Sequence, residues 1–245
     1  MSIAAADGAK LSAWWLRAPQ PNGRCVVVLH GIADSRVGSS GFAPMFLGEG
    51  YSVLLPDSRA HGESGGEFVT YGLLERYDAI AWARWMRQAG CGKLYALGES
   101  LGASVLIESA AIEPVFAAIV AESAYADLRE TAEYRLQRVA ANMSAPVARA
   151  LAKTVVRSGV FYAKWVDGLD ILRVSPLDAI ARAQTPILLI HGLRDDETPP
   201  VNSEKLAKAN AHDVLWLVPG AVHVGAAAAA PEEFRRRVLG WFRDH

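Results

Sequence analysis

The sequence predicts an α/β protein: a mostly parallel sheet of eight strands with helices on both faces. Three observations predict it. Short apolar, β-branched runs alternate with helical patterns along the chain. The runs from Cys25 onward are largely apolar rather than alternating, as strands covered on both faces require. One long stretch, Ser123 to Gln184, has helical patterns and no strand.

The elements follow in order. Asp7-Gly8 is a hairpin signal between a strand near Ser2–Ala6 and another over Leu11–Arg17. Cys25–Leu29 reads as a central strand ending at His30-Gly31, and Tyr51–Leu55 as the next, closed by Pro56-Asp57. Leu73–Gln88 has helical spacing of Leu74, Tyr77, Ile80, Ala81 and Trp85. Leu94–Leu97 is a buried strand and Leu101–Ile112 a helix. Ala117–Ala121, Pro186–Ile190 and Asp213–Val218 are further strands, with a helix around Ser203–Lys208 between the last two. Pro231, suited to a first helical turn, opens the final helix. Residues 1–122 and 185–245 thus form the α/β core. Residues 123–184, with helical patterns over Leu128–Ala141 and Ala145–Val156 and then Phe161, Tyr162 and Trp165, are expected to cap the carboxyl edge of the sheet.

Composition excludes several classes. Lys+Arg at 25 against Asp+Glu at 26 gives a net charge of -1, so no global field favours nucleic acid or an anionic membrane. Arg235-Arg236-Arg237 reads as a solvated helix face. No stretch reaches the ~18 apolar residues of a membrane span and no charged-then-apolar leader is present. A cytoplasmic or otherwise soluble protein is expected; removal of an anchor upstream of Met1 would leave the same pattern. Cys25 and Cys91 lie in or beside apolar segments and are expected as buried thiols, a single bridge being the alternative. No Gly-rich phosphate loop or dinucleotide fingerprint follows the first parallel strand. His191, Asp195 and Asp196 share one loop with no second cluster, a poor metal site.

The chemistry centres on Gly98-Glu99-Ser100-Leu101-Gly102. Placed between a strand and a helix, this pentapeptide holds its serine on a tight, strained bend with the hydroxyl exposed. A serine hydroxyl needs a base, and the base a third group to orient it. The penultimate strand ends at His191-Gly192, followed by Asp195 and Asp196; the last ends at Val218-Pro219-Gly220, followed by His223. The order Ser, Asp, His falls on carboxyl-end loops of one sheet.

With His30-Gly31, Asp57-Ser58-Arg59-Ala60-His61-Gly62-Glu63-Ser64, the elbow, Ser175-Pro176, Pro186 through Asp195, Pro199 and Pro219-Gly220-Ala221-Val222-His223, the chain resembles the α/β-hydrolase fold superfamily over nearly its whole length. The closest likeness is to the serine-hydrolase, esterase-type branch with a short helical lid. The resemblance implies Ser100 as nucleophile, His223 as general base and acid, and Asp195 as its orienting partner, with Asp196 as the neighbouring alternative. It implies an oxyanion hole from the backbone N–H groups of Ile32 and Leu101, a small-molecule ester substrate and no cofactor. A peptidase or an acyltransferase would use the same residues. A non-catalytic protein that binds a small ligand in the same pocket is the alternative of a different class.

The remaining candidates are read as structural. His30, His61 and His191 brace loops, His212 lies on the surface, and Glu99 is a buried, hydrogen-bonded acid. Phe161, Tyr162 and Trp165 would suit an apolar acyl chain or hold the cap together. Trp14 and Trp15, adjacent on a strand, face opposite sides, one of them packing on a helix.

Overall fold

A computed structural model describes residues 1–245. Its single sheet has the order β1-β2-β4-β3-β5-β6-β7-β8. β1 (Ser2–Ala4) and β2 (Lys10–Leu16) form the hairpin, with Ile3 opposite Leu11 and Gly8 at φ 86 in the turn. β3 (Arg24–Leu29) occupies the centre and leads into the single-turn α1 (Arg36–Ser39) and the short α2 (Ala43–Leu47). β4 (Ser52–Pro56) pairs parallel to β3 and antiparallel to β2. After α3 (Glu75–Gln88), β5 (Lys93–Glu99) pairs with the other side of β3. The chain therefore reverses direction across the sheet between β3 and β5, and a crevice opens at their carboxyl ends.

α4 (Leu101–Ala110) and β6 (Ala118–Glu122) follow. The strandless stretch comes next, with α5 (Leu128–Val139), α6 (Ala145–Trp165) and α7 (Pro176–Ile180). β7 (Ile187–Gly192), α8 (Val201–Ala209), β8 (Val214–Val218), the short α9 (Ala226–Ala229) and α10 (Pro231–Asp244) complete the chain.

Successive strand residues point to opposite faces, so the sheet builds two cores. Val26 and Val28 of β3 meet Phe46 of α2, Tyr95, Leu97 and Phe242 of α10. Val27 and Leu29 meet Trp82 of α3, Leu106 of α4, Ile119 and Leu189. Each such fully buried side chain contributes roughly 1.5–3 kcal/mol. On α3 the buried face runs through Ala79, Trp82, Ala83 and Met86, not through Tyr77, which is exposed, or Ala81. Trp15 packs edge-on against Trp85 of α3 at 5.4 Å, while Trp14 faces outward beneath the Arg36 guanidinium.

Two expectations are corrected. Cys25 and Cys91 are bridged, not free. Pairing of Cys25 with Leu94 in the β3–β5 ladder brings Cys91, just before β5, to a Cα separation of 5.8 Å. A bridge joining residues 66 apart constrains the unfolded chain by roughly 4 kcal/mol on the chain-entropy account. The helix expected over Ala145–Val156 continues to Trp165, so Phe161, Tyr162 and Trp165 lie on it rather than after it.

Candidate active site

The elbow is built by contacts too close for any side chain but hydrogen. Ser100, between β5 and α4, has φ 51 and ψ -111, a conformation that costs of order 1–3 kcal/mol in a non-glycine residue. A Cβ on Gly98 would stand 2.6 Å from the Gly102 backbone, and one on Gly102 only 2.5 Å from the Leu29 carbonyl oxygen. The two glycines let the helix start directly over β3 and β5, and the Ser100 N–H donates to the Glu122 carbonyl at 2.8 Å. Ser104, one turn into α4, donates its N–H back to the Ser100 carbonyl at 3.1 Å.

The structure brings Ser100, His223 and Asp195 together. Ser100 Oγ lies 2.9 Å from His223 Nε2, and His223 Nδ1 lies 2.7 Å from Asp195 Oδ2. The network assigns the proton to Nδ1, leaving Nε2 as acceptor for the serine hydroxyl. Asp195 is buried, and its Oδ1 accepts the N–H groups of Glu197 and Thr198. Burial alone would raise its pKa. Hydrogen bonds from His191, His223 and Thr198 outweigh that and hold the carboxyl well below the usual range. Asp196 is exposed and faces Arg138, away from His223. The His223 loop is seated on β7: a Cβ on Gly192 would meet the Ala221 carbonyl oxygen at 2.4 Å.

Ile32 and Leu101 flank the serine from two directions. Leu101 is the first residue of α4, so its N–H has no partner within the helix. Gly31 lets the loop after β3 approach: its Cβ would be 3.3 Å from Ser100 Cβ. His30, whose ring burial pushes towards the neutral form, accepts the Ser58 N–H through Nε2 and donates to the Gly31 carbonyl through Nδ1. His61 Nε2 accepts the N–H of Ala33, which sits at φ 60. Both imidazoles thus brace the loop that carries Ile32. His191 braces the opposite loop, bonded to Ser203 Oγ and the Thr198 carbonyl, while His212 is exposed.

Sequence reasoning missed Glu122, the last residue of β6, and Ser123, which follows it, with no motif of their own. Glu122 Oε1 accepts the Ala226 N–H at 2.8 Å and Ser123 Oγ the Val224 N–H at 3.2 Å. Together they clamp the segment that carries His223, whose neighbour Val224 has φ 45. Glu99 is corrected: its carboxylate makes no hydrogen bond, and the residue sits opposite Glu122 in the β5–β6 ladder. Burial first, then the charge of Glu122, pushes the Glu99 carboxyl up to about 8; burial pushes Glu122 up to about 7.

Ser100 and Leu101 line a cavity of about 690 Å³. Its walls are mainly apolar and come from the loop before α3, from Leu128 on α5, from Val156 and Val160 on α6, and from Ile171 to Val174. Phe161, Tyr162 and Trp165 are not in the wall; they are 64, 57 and 70% exposed.

A model of the Alpha/beta hydrolase family matches residues 26–237, and the chain belongs to that family. The uncharacterized protein YqkD of Bacillus subtilis is 26% identical over 226 residues, covering 90% of this chain and 72% of its own. Rv2307c, an uncharacterized protein of Mycobacterium tuberculosis, is 28% identical over 224 residues, 89% of this chain and 69% of its own. Among solved structures, the Pyrococcus furiosus esterase Pf2001 superposes with a TM-score of 0.80 at 25% identity, over 100% of this chain and 90% of that one. Family and neighbours together support a hydrolase. No helix is long and apolar enough to cross a membrane.

Proposed function

We propose that the protein is a serine hydrolase that cleaves carboxylic esters through an acyl-enzyme, with residues 123–184 forming a cap over the site. The observation that carries this reading is the bonded series Ser100–His223–Asp195, at 2.9 and 2.7 Å, opening on an apolar cavity.

His223 Nε2 takes the proton as Ser100 Oγ attacks the ester carbonyl, and the oxyanion that forms accepts the N–H groups of Ile32 and Leu101. Each donor is worth roughly 3–4 kcal/mol to that transition state. The imidazolium, stabilised by the ionised Asp195, returns its proton to the leaving alcohol. A water then repeats the sequence on the acyl-enzyme, with His223 as base and then acid, and the carboxylic acid leaves. An apolar cavity beside the nucleophile favours an apolar acyl group.

Turnover of p-nitrophenyl esters of graded acyl length, with one amide included, tests the reading alongside fluorophosphonate labelling followed by mass. The expected result is ester turnover and a single adduct on Ser100. Unlabelled protein with no turnover of any ester would favour the ligand-binding alternative.

A further inference from the structure

α5 holds little of the core: of its twelve residues only Thr131 is buried. Two of its arginines reach out of the insert to the loop after β7. Arg135 donates through Nε to the Glu197 carbonyl at 3.1 Å and through Nη2 to Thr198 Oγ1 at 3.1 Å. Arg138 donates to both the carbonyl and the carboxylate of Asp196. Three successive residues of one loop are thus held from one helix. Neither the Asp196 nor the Glu197 carbonyl has a main-chain partner. Arginine suits the task, because its planar fork offers several donors at once.

That loop carries Asp195. Its Oδ1 accepts the N–H groups of Glu197 and Thr198 at 3.1 and 2.8 Å, and the Thr198 carbonyl accepts from His191 Nε2 at 2.7 Å. Thr198 is therefore engaged on every side: its N–H by Asp195, its carbonyl by His191 and its hydroxyl by Arg135. The inner bonds fix the shape of the turn around the carboxylate. The outer carbonyls of the same turn are held only by α5. The arrangement mirrors the His223 segment, where Glu122 and Ser123 accept backbone N–H groups; here arginines donate to backbone carbonyls.

We propose that Arg135 and Arg138 are positioning residues: from the insert they hold the backbone of residues 196–198 so that Asp195 keeps its hydrogen bond to His223 Nδ1. The sheet places Asp195, and α5 keeps its loop from turning away. The insert then does more than cover the cavity, because one of its helices supports the acid that orients the base. Arg135 also lines the cavity, so a role in the wall is the competing assignment; Arg138, which lies outside that wall, separates the two. The inference rests on the reading of Ser100, His223 and Asp195 as a triad and adds two residues to its support.

The test compares Arg135→Ala with Arg138→Ala, singly and together, the corresponding pair of lysine variants, and Lys205→Gln. Lys205 pairs with Glu130 at 2.6 Å and so fastens α5 to α8 without touching the loop. In the double alanine variant kcat should fall roughly tenfold for short and long acyl esters alike, with KM nearly unchanged. The low-field proton resonance of the His223–Asp195 hydrogen bond should weaken or shift with it. The lysine pair keeps the charge and a donor and should recover part of the loss, while Lys205→Gln should behave as wild type. Exposed ion pairs contribute little to stability, so the circular-dichroism melts should stay close to wild type. A resonance or a kcat that matches wild type in the double variant overturns the proposal. So does a loss confined to KM that grows with acyl length, which assigns Arg135 to the wall, or an equal loss of kcat in Lys205→Gln. The resonance needs no substrate: a wild type that turns over no ester sinks the ester reading and leaves the resonance to decide this one.

Discussion

The carboxyl edge of the sheet and the helix α6 both line one cavity and are built on different principles. At the edge, backbone meets backbone: Gly98, Gly102 and Gly192 would each place a Cβ within 2.6 Å of another main-chain atom. On α6, Gly159 would meet nothing within 4 Å. The edge has one solution, and a change of one methyl group is felt by the residues that must meet there. The helix is held by a row of small buried side chains and leaves its outward half free to vary. Position is therefore set by the sheet, while the shape of the space beside it is set by the insert.

The sharpest way to break this contrast is at the serine itself. Ser100→Ala removes the proposed nucleophile but no packing contact of consequence. Ester turnover should fall by roughly 10⁴-fold or more while the melting temperature stays close to wild type. Turnover that survives the change would sink the proposed chemistry.

Paired glycine substitutions come next. Gly102→Ala drives a methyl into the Leu29 carbonyl and should destabilise by roughly 3 kcal/mol, with loss of fluorophosphonate labelling. Gly159→Ala, in an open helical position, should stabilise by roughly 0.5–1 kcal/mol. Denaturant midpoints decide both, and similar shifts in the same direction would erase the distinction between the two regions.

A smaller effect is expected at Glu122, which acts through the His223 segment rather than on substrate. Glu122→Ala deletes the acceptor for the Ala226 N–H, and a displaced imidazole should lower kcat roughly ten- to a hundredfold with KM nearly unchanged. Glu122→Gln retains an acceptor oxygen and should restore most of the loss. Equal deficits in the two variants would show that the hydrogen bond is not what matters.

How legible each region is in the sequence follows from the same difference. The edge is written in residue types that only special backbone tolerates, so Gly98, Ser100, Gly102 and Gly192 could be placed before any fold was known. Strand runs such as Cys25–Leu29 stand out because burial on both faces leaves no polar residue to blur them. The sequence pattern of α6 fades after Val156 because its cavity-facing side continues in Gly159 and Ala163, residues with little apolar signal, while large apolar residues turn outward. The disulfide was hidden for another reason. Only the register of β3 on β5 brings Cys25 and Cys91 together, and register is a property of the sheet, not of either segment. Glu122 and Ser123 bear on His223 through two backbone N–H groups, a contact that no local pattern announces.

Charge gives the last and smallest test. The edge places Glu99 opposite Glu122; burial and the charge of Glu122 raise Glu99 to about 8, and burial raises Glu122 to about 7, whereas the cations of α6 stand in water. A carboxyl whose folded pKa exceeds its ordinary value of 4.5 makes the folded state bind a proton that the unfolded chain has released. The associated stability is fully present below about 4.5 and is lost as pH rises through 7 to 8. Asp195 has the opposite sign: its lowered pKa contributes above the ordinary carboxylate range and is lost only in acid. Urea midpoints should therefore fall between pH 5.5 and 8.5 in the wild type, and fall less in Glu99→Gln, which has no charge to bury. Asp213, raised to about 7 by burial, keeps part of the slope in both proteins. The difference between the two slopes is thus the contribution of Glu99, and parallel slopes would mean that the acid beside the nucleophile is already ionised in the folded edge.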